Sequence, residues 1–427
     1  MHRVWRILIL LLTVSLTPVS ALSPPVRAAS ATCPTYTEVA LVGSACRLPN
    51  GLWQVRIPGG GLMTTHGHDA PTHFFYQPPA DNPVPPVCVA DPTSEHHGQV
   101  IYARPVDRPD RFVALEGEIR DMVGHANAAI RAEASSFGSE LDLRIACAET
   151  GEPDIDSVPL STTTARTTFS TIVADLRALG YASPWAKYWI WVDFEYNAGG
   201  FGTIERDDSP TVGNNNNTGP SYAATYGTRL TDGGHHVMLH EAAHNLGAVQ
   251  STSPHTSAAW HCNDGSDLMC YADGGPRSNY SEVSCPTTMP FDCGHDDYFH
   301  PDPPAGSYLD THWNLGSPLN RFTQGCLHER GALPSTLGAV DADEGVWIDV
   351  GPSCTDRRFT LTGRMAVIGG VLGYDKPDLD VCWYNATAAI RCDQAIGLEA
   401  GRIPAGTSRA RVTLKAGFST EFFIAAV

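Results

Sequence analysis

Residues 240–252 read HEAAHNLGAVQST, and this stretch decides the fold and the chemistry that we expect. On a helix, His240 and His244 stand one turn apart on the same face, so two imidazoles can converge on one metal ion while Glu241 faces its open side. Gly247 follows where helices commonly end in a left-handed residue, which lets the chain turn sharply towards a third ligand. The spacing predicts the zinc site of a hydrolase. Two surface histidines on an ordinary helix are the alternative.

Three side chains downstream of the helix are candidates for the third ligand. Gln250 stands three residues after the glycine, and His255 and His261 follow in loops long enough to reach back under the helix end. Glutamine is a neutral, weak zinc ligand, whereas imidazole is a better donor. We expect one of the three to complete the site.

The motif and the sequence that follows it resemble those of the metzincin metallopeptidases. Residues 267–271, DLMCY, are similar to the Met-turn of that clan. The resemblance implies that Met269 forms a hydrophobic base beneath the metal, and that Tyr271 reaches the metal or the tetrahedral intermediate, as in the astacin-like and serralysin-like branches. Gln250 departs from the clan, which usually has His or Asp there.

The N-terminus and the cysteine content predict export. Residues 1–30 place Arg3 and Arg6 before the apolar run 7–16 and a small-residue cleavage site, as in a secretory signal peptide. That run is too short to span a bilayer, and no later segment is long enough. Twelve cysteines predict up to six disulfides, as expected of a secreted, extracellular protein.

The charge balance limits the partners. Forty-six acidic residues against 28 basic ones give a net charge of -18, which disfavours nucleic acid and anionic membranes and suits a secreted protein that binds calcium. We expect a monomer whose partner is a protein or peptide substrate. Asp207 and Asp208, and further along Asp296 and Asp297, are candidate calcium ligands because they supply hard oxygen atoms. A solvated turn would explain the first pair equally well, and helix capping is the plainer explanation of the second pair.

Residues 31–98 are predicted to form an accessory segment or pro-segment that ends in a proline-rich linker between Pro78 and Pro92. A propeptide would keep a secreted protease silent. His66, His68 and His73 form a loose cluster that we expect on a surface loop.

Residues 99–330 are predicted to form an α+β catalytic domain. The patterns favour a strand at 100–103, a helix after Asp110, a strand at 141–146, a helix at 169–179 and a buried strand at 188–194. This order, followed by the zinc helix, resembles the metzincin upper subdomain, which implies a mixed twisted sheet with backing helices. Residues 202–206 are expected to be an edge strand that pairs with an extended substrate.

Residues 336–427 change character and predict a small β-sandwich. The segments 358–365, 409–415 and 421–427 alternate as sheet strands do, with glycine and proline turns between them. By analogy with other proteases, such a domain would target the enzyme to a substrate or surface.

These features together predict a secreted zinc endopeptidase. The metal would activate water, Glu241 would act as the general base, and Tyr271 would donate to the oxyanion. A catalytically inactive adhesion or carbohydrate-binding protein with a relict zinc site is one alternative. A zinc hydrolase of non-peptide amides, such as those of cell walls, is another.

Overall fold

The computed structural model describes residue 33 and residues 35–67, 82–195, 198–227, 234–265, 267–282, 291–333, 345–365, 378–396, 399–416 and 420–427. The predicted signal peptide, His68, His73 and the beginning of the predicted proline-rich linker lie outside these residues.

The N-terminal region forms a four-stranded antiparallel sheet. Its strands, paired in chain order, are β1 (Thr37–Val39), β2 (Gly43–Arg47), β3 (Trp53–Arg56) and β4 (Leu62–Thr65). Val42, Ala45 and Val55 belong to one hydrophobic cluster with Phe169 and Ile172 of the next region. The sheet therefore shares a core with helix-forming residues of the predicted catalytic domain. Whether the segment is removed as a propeptide stays a prediction.

The next region supplies most of a central sheet. Its elements are β5 (Val87–Cys88), β6 (His97–Arg104), α1 (Phe112–Ser136), β7 (Asp142–Ile145), β8 (Ile155–Pro159), α2 (Phe169–Ala178), β9 (Ala186–Val192), β10 (Gly200–Gly202) and β11 (Ser221–Tyr226). After these come α3 (Gly234–Leu246), β12 (Asp264–Gly265), β13 (Ser281–Glu282), α4 (Tyr308–Thr311) and β14 (Thr323–Gln324).

The central sheet has eight strands and is mixed. Its main path runs β10-β11-β9-β6-β7-β14, while β5 pairs with β7 and β8 pairs with β6. The neighbours β11, β9 and β6 are parallel, whereas β10 and β14 are antiparallel to theirs. Because β5 lies at Val87–Cys88, the stretch predicted as a linker already contributes to this sheet.

Strand β9 separates two cores. Trp189 and Trp191 face a cluster that includes buried residues of α1 and α3. Tyr188 and Ile190 face the cluster formed by α2 and the N-terminal sheet. All seven residues of β9 are buried, which confirms the expectation of a strand covered on both faces.

The predicted helices and strands of this region are found within a few residues. Asp110 accepts a hydrogen bond from the N–H of Phe112 at 2.9 Å, at the start of α1. Thr168 and Thr171 form a reciprocal capping pair at the start of α2, and Gly180 beyond its end has φ of +100°.

The C-terminal region consists of two four-stranded sheets. Its strands are β15 (Leu327–Leu333), β16 (Val346–Asp349), β17 (Arg358–Met365), β18 (Asp378–Tyr384), β19 (Ala389–Ile396), β20 (Glu399–Arg402), β21 (Arg409–Ala416) and β22 (Thr420–Ala426). The sheet orders are β15-β22-β17-β20 and β16-β21-β18-β19. Side chains of both sheets form one buried cluster around Trp383. The chain enters these sheets at Leu327, earlier than the predicted boundary. The protein as a whole is α+β, as expected.

Five disulfides join described residues: Cys33–Cys46, Cys88–Cys147, Cys262–Cys270, Cys326–Cys354 and Cys382–Cys392. Cys293 is also disulfide-bonded. Within the described ranges, no helix is long and apolar enough to cross a membrane.

Candidate metal centre

Helix α3 carries the central motif and is fixed at its C-terminal end. Gly247 has φ of +94°, and a Cβ there would lie 2.5 Å from the amide carbon of Asn216, so this position requires glycine. Asn245 Nδ2 donates to the carbonyls of Thr203 and Tyr222, at 2.9 and 3.1 Å. Trp313 Nε1 donates to the last helical carbonyl at 2.7 Å. The helix is therefore held against strands β10 and β11.

The rings of three buried histidines lie close together beside this helix. His244 Nε2 lies 3.2 Å from His240 Nε2 and 3.2 Å from His261 Nε2. The first two come from the motif, one turn apart as expected. The third arrives from a hairpin closed by a β-bridge between Thr256 and Cys262 and by the Cys262–Cys270 disulfide.

The Nδ1 atoms of two of these rings, which do not face the other histidines, are hydrogen-bonded. His240 Nδ1 donates to the carbonyl of Leu268 at 2.8 Å, and His261 Nδ1 donates to Asp273 Oδ2 at 3.0 Å. An N–H at Nδ1 leaves Nε2 of a neutral ring as an acceptor or a ligand. Burial acts to raise the pKa of Asp273, but its hydrogen bonds with His261 and Ser257 outweigh burial and hold that pKa below its usual value.

The other two candidates for the third ligand lie elsewhere. Gln250 is buried, and its Nε2 donates to the carbonyls of Glu205 and Gly247, at 3.2 and 3.1 Å. His255 joins a separate cluster of carboxylates. The structure thus brings only His261, of the three, to the motif histidines.

Glu241 is completely buried and lies against β10. A Cβ on Gly200 would come within 2.4 Å of Glu241 Oε1 and 2.7 Å of the carbonyl of Ala224. A Cβ on Gly202 would lie 3.0 Å from Glu241 Oε2 and from the Cβ of His244. The two glycines therefore make room for the acidic side chain beside the histidines.

His66 is buried in the same place, which contradicts the expectation of a surface loop. Its Nε2 lies 3.2 Å from Glu241 Oε2, and its ring stacks on that of His244 with the centroids 4.2 Å apart. The ligand atoms of His66, His244 and His261 lie within 4.8 Å of one another. A fourth imidazole from the N-terminal region therefore borders the site.

The N-terminal region also covers the predicted substrate edge. Strand β10 ends at Gly202, and Thr203 then bridges Thr65 in the antiparallel sense. The N–H of Ile204 donates to the carbonyl of Thr64 at 3.0 Å. The end of β4 thus lies where we expected an extended substrate.

The predicted Met-turn adjoins the histidines through Leu268 and Tyr271. Met269 is fully buried, and its N–H donates to Asp267 Oδ1 at 2.7 Å. The Tyr271 ring is 4.3 Å from the His261 ring and 6.2 Å from the His240 ring, centroid to centroid. Tyr271 therefore lies beside the motif histidines, whereas the role of Met269 as a base beneath the metal stays a prediction.

His240 Nε2 and His261 Nε2 each lie at the distance from His244 Nε2 that a shared zinc ion requires. Two nitrogens bound to one tetrahedral ion at about 2.0 Å would be about 3.3 Å apart, close to the 3.2 Å observed here. Neutral imidazoles are common zinc ligands, and rings oriented through Nδ1 are typical of such sites. His240, His244 and His261 therefore fit the metal that the motif implies.

The candidate calcium ligands have different surroundings. Asp207 accepts hydrogen bonds from Ser209 and from the N–H of Asn215, and Asp208 accepts from Thr252 and Tyr308. Both carboxylates are therefore occupied by hydrogen bonds that hold loops in place. Asp296 and Asp297 instead lie with His255 and Asp264 in one group of metal-ligating atoms.

Two residues of the site were missed in the sequence: Asp273 as the partner of His261, and His66. Asp273 lies 12 residues after His261, and His66 lies 175 residues before Glu241, so neither belongs to a local pattern. Only the pairing of the hairpin and the packing of the N-terminal sheet bring them in.

No protein-family model and no curated protein matches the chain. Among solved structures, wild-type OgpA from Akkermansia muciniphila is similar, with 12% identity and a TM-score of 0.28 over 79% of this chain and 88% of that one. A catalytically inactive OgpA in complex with an O-glycopeptide substrate, glycodrosocin, has 10% identity and a TM-score of 0.29 over 82% and 96% of the two chains. Similarity at this level defines no family.

Proposed function

We propose that the chain is a secreted zinc-dependent endopeptidase of the metzincin type. The observation that supports this most directly is the convergence of His240, His244 and His261 Nε2 atoms beside the buried carboxylate of Glu241. The zinc would be held by these three imidazoles. When bound, zinc lowers the pKa of a coordinated water and polarises a carbonyl.

The protein's own groups would perform the proton transfers. Glu241, placed beside the histidines by Gly200 and Gly202, would take a proton from the attacking water and deliver it to the leaving amine. Tyr271, whose ring packs near His261, would donate a hydrogen bond to the oxyanion. Leu268 and Asp273 would orient two of the imidazoles through Nδ1.

A binding protein with a structural zinc is the second candidate, and the position of His66 favours it. Structural zinc sites have four protein ligands, whereas catalytic sites keep one position for water. His66 supplies a fourth imidazole, whose ligand atom lies within 4.8 Å of those of His244 and His261. In that case zinc would stabilise the fold without hydrolysis.

One experiment separates the two functions. Casein hydrolysis and zinc content would be measured for the wild type, for Glu241→Gln and for Glu118→Gln, which replaces an exposed glutamate of α1. We expect Glu241→Gln to lower hydrolysis by about 10²–10⁴-fold at unchanged zinc content, and Glu118→Gln to change neither. Zinc bound by the wild type and by His66→Ala, with no cleavage by either, would favour the binding protein. Loss of zinc from Glu241→Gln would contradict the assigned role.

A further inference from the structure

A second cluster of metal-ligating side chains lies beside the loop that carries His261. His255 Nδ1 is 3.1 Å from Asp264 Oδ2, 3.3 Å from Asp297 Oδ2 and 3.5 Å from Asp296 Oδ1. The four ligand atoms lie within 4.8 Å of one another. None of these residues belongs to the histidine centre described above.

The cluster contains buried polar atoms that no hydrogen bond satisfies. The Asp297 side chain is fully enclosed; its Oδ1 accepts from the N–H of His255 at 2.8 Å, whereas Oδ2 lies 3.3 Å from His255 Nδ1 without an aligned hydrogen bond. Asp296 Oδ1 and His255 Nδ1 are buried and lack a well-aligned partner as well. A buried acceptor without a donor costs about 1–3 kcal/mol, and more when it is charged. The arrangement therefore points to a ligand between these atoms.

The charge within the cluster supports the same conclusion. The carboxylates of Asp264, Asp296 and Asp297 all face the single imidazole of His255. A protonated imidazole would supply one positive charge and one N–H at Nδ1 for three carboxylates. The negative charge would be only partly compensated by such a ring.

We propose that His255, Asp264, Asp296 and Asp297 bind a second divalent cation, of the zinc or manganese class. Calcium takes oxygen ligands, whereas an imidazole nitrogen among the donors favours a first-row transition ion. Donor atoms about 2.1 Å from one ion lie roughly 3.0–3.4 Å apart, and the separations from His255 Nδ1 are similar. Asp296 and Asp297, which the sequence suggested as calcium ligands, belong to this cluster, but the imidazole changes the class of cation.

Such a cation would join two loops, one of which is continuous with the hairpin that carries His261. The carbonyl of His255 accepts from the N–H of Asn263 at 3.0 Å, next to the bridge between Thr256 and Cys262 that holds His261 in place. Asp296 and Asp297 come from a separate loop. The bound ion would therefore fix the hairpin of the third histidine against residues 296–297.

The test is a metal titration of the full-length chain. Bound Mn²⁺ would be counted by electron paramagnetic resonance, and zinc by elemental analysis, for the wild type, for Asp296→Asn and for Asp349→Asn. Asp296 is half-exposed, so its replacement should leave the fold intact, and Asp349 is an almost fully exposed control. We expect two cation sites in the wild type and in the control. In Asp296→Asn we expect affinity at the second site to fall at least tenfold, with the first site unchanged.

The absence of a second site in the wild type would overturn the proposal. So would a second site that binds Mn²⁺, or Zn²⁺, as tightly in Asp296→Asn as in the wild type. A second site that binds Ca²⁺ but neither Zn²⁺ nor Mn²⁺, and whose Ca²⁺ affinity is unchanged in His255→Ala, would overturn it as well. Because the counting does not measure hydrolysis, failure of the proposed peptidase function would leave this test unaffected.

Discussion

Asp273 accepts a hydrogen bond from Nδ1 of His261 at 3.0 Å, and this contact orients the ring that completes the histidine centre. Asp273 is itself held by Ser257 Oγ and by the N–H of Gly275, at 2.5 and 2.8 Å. The third imidazole is thus fixed by the hairpin that carries it.

Replacement of Asp273 by Asn should weaken zinc binding. The amide has one acceptor oxygen, so it cannot accept from Gly275 as well as from His261 and Ser257, and it lacks the negative charge that strengthens the bond to the ring. Loss of such a partner typically costs about 10–100-fold in metal affinity. Competition with a chromogenic chelator would measure the effect, with Asp349→Asn as the exposed control. Equal affinities for wild type and Asp273→Asn would contradict the positioning role.

Replacement of His66 by Ala should open the histidine centre. The wild-type ring stacks on His244 and lies 3.2 Å from Glu241, where substrate and water would need to enter. If the chain is a peptidase closed by its N-terminal region, hydrolysis and the binding of a hydroxamate chelator should both rise, by about tenfold or more for the chelator. Leu62→Ala, an exposed position on strand β4 just before His66, is the control. Lower hydrolysis with unchanged chelator binding would instead make His66 a participant in catalysis.

Replacement of Gly200 by Ala should impair catalysis more than zinc binding. The added methyl group would lie 2.6 Å from Glu241 Cγ and 2.7 Å from the carbonyl of Ala224, so the strand or the carboxylate must move. A displacement of about 1 Å can lower a rate about 100-fold. Gly117→Ala in α1 is the matched control, because a Cβ there meets no atom within 4 Å. Equal hydrolysis rates in the two variants would show that Glu241 tolerates the change.

Lys187 should make stability depend on pH. Its ammonium group is fully buried beneath α3 and donates to the carbonyl of Asn245 at 2.7 Å. Burial lowers its pKa to about 7, although Glu205 acts to raise it. The unfolded chain keeps this proton up to about pH 10.4. Between these values the unfolded state binds more protons, so the free energy of unfolding should rise with pH, by at most about 1.4 kcal/mol per unit from this group.

Urea unfolding at pH 7, 8 and 9 would test this for the wild type and Lys187→Met. As the pH increases, the free energy of unfolding of the wild type should rise relative to that of Lys187→Met. Below pH 7 the lysine is charged in both states and its contribution should not vary. A difference that stays constant from pH 7 to 9 would show that Lys187 remains protonated in the folded protein.

Local patterns in the sequence predicted much of the fold. Helix α1, helix α2 and the fully buried strand β9 were found within a few residues, because their apolar spacing reflects burial on one or both faces. The spacing of His240 and His244 follows from the helical repeat alone. Gly247, with its left-handed backbone, marks the end of the helix as expected.

Tertiary structure decided which distant groups join the histidine pair. From the sequence, Gln250, His255 or His261 could each be the third ligand. The bridge between Thr256 and Cys262, together with a disulfide, brings only His261 to the centre. His66 arrives because the N-terminal sheet packs into the same core as α2. Helical spacing is a local property of the chain, whereas these positions depend on loop closure and on packing between segments far apart in sequence. That physical difference separates what the sequence alone determined from what required the fold.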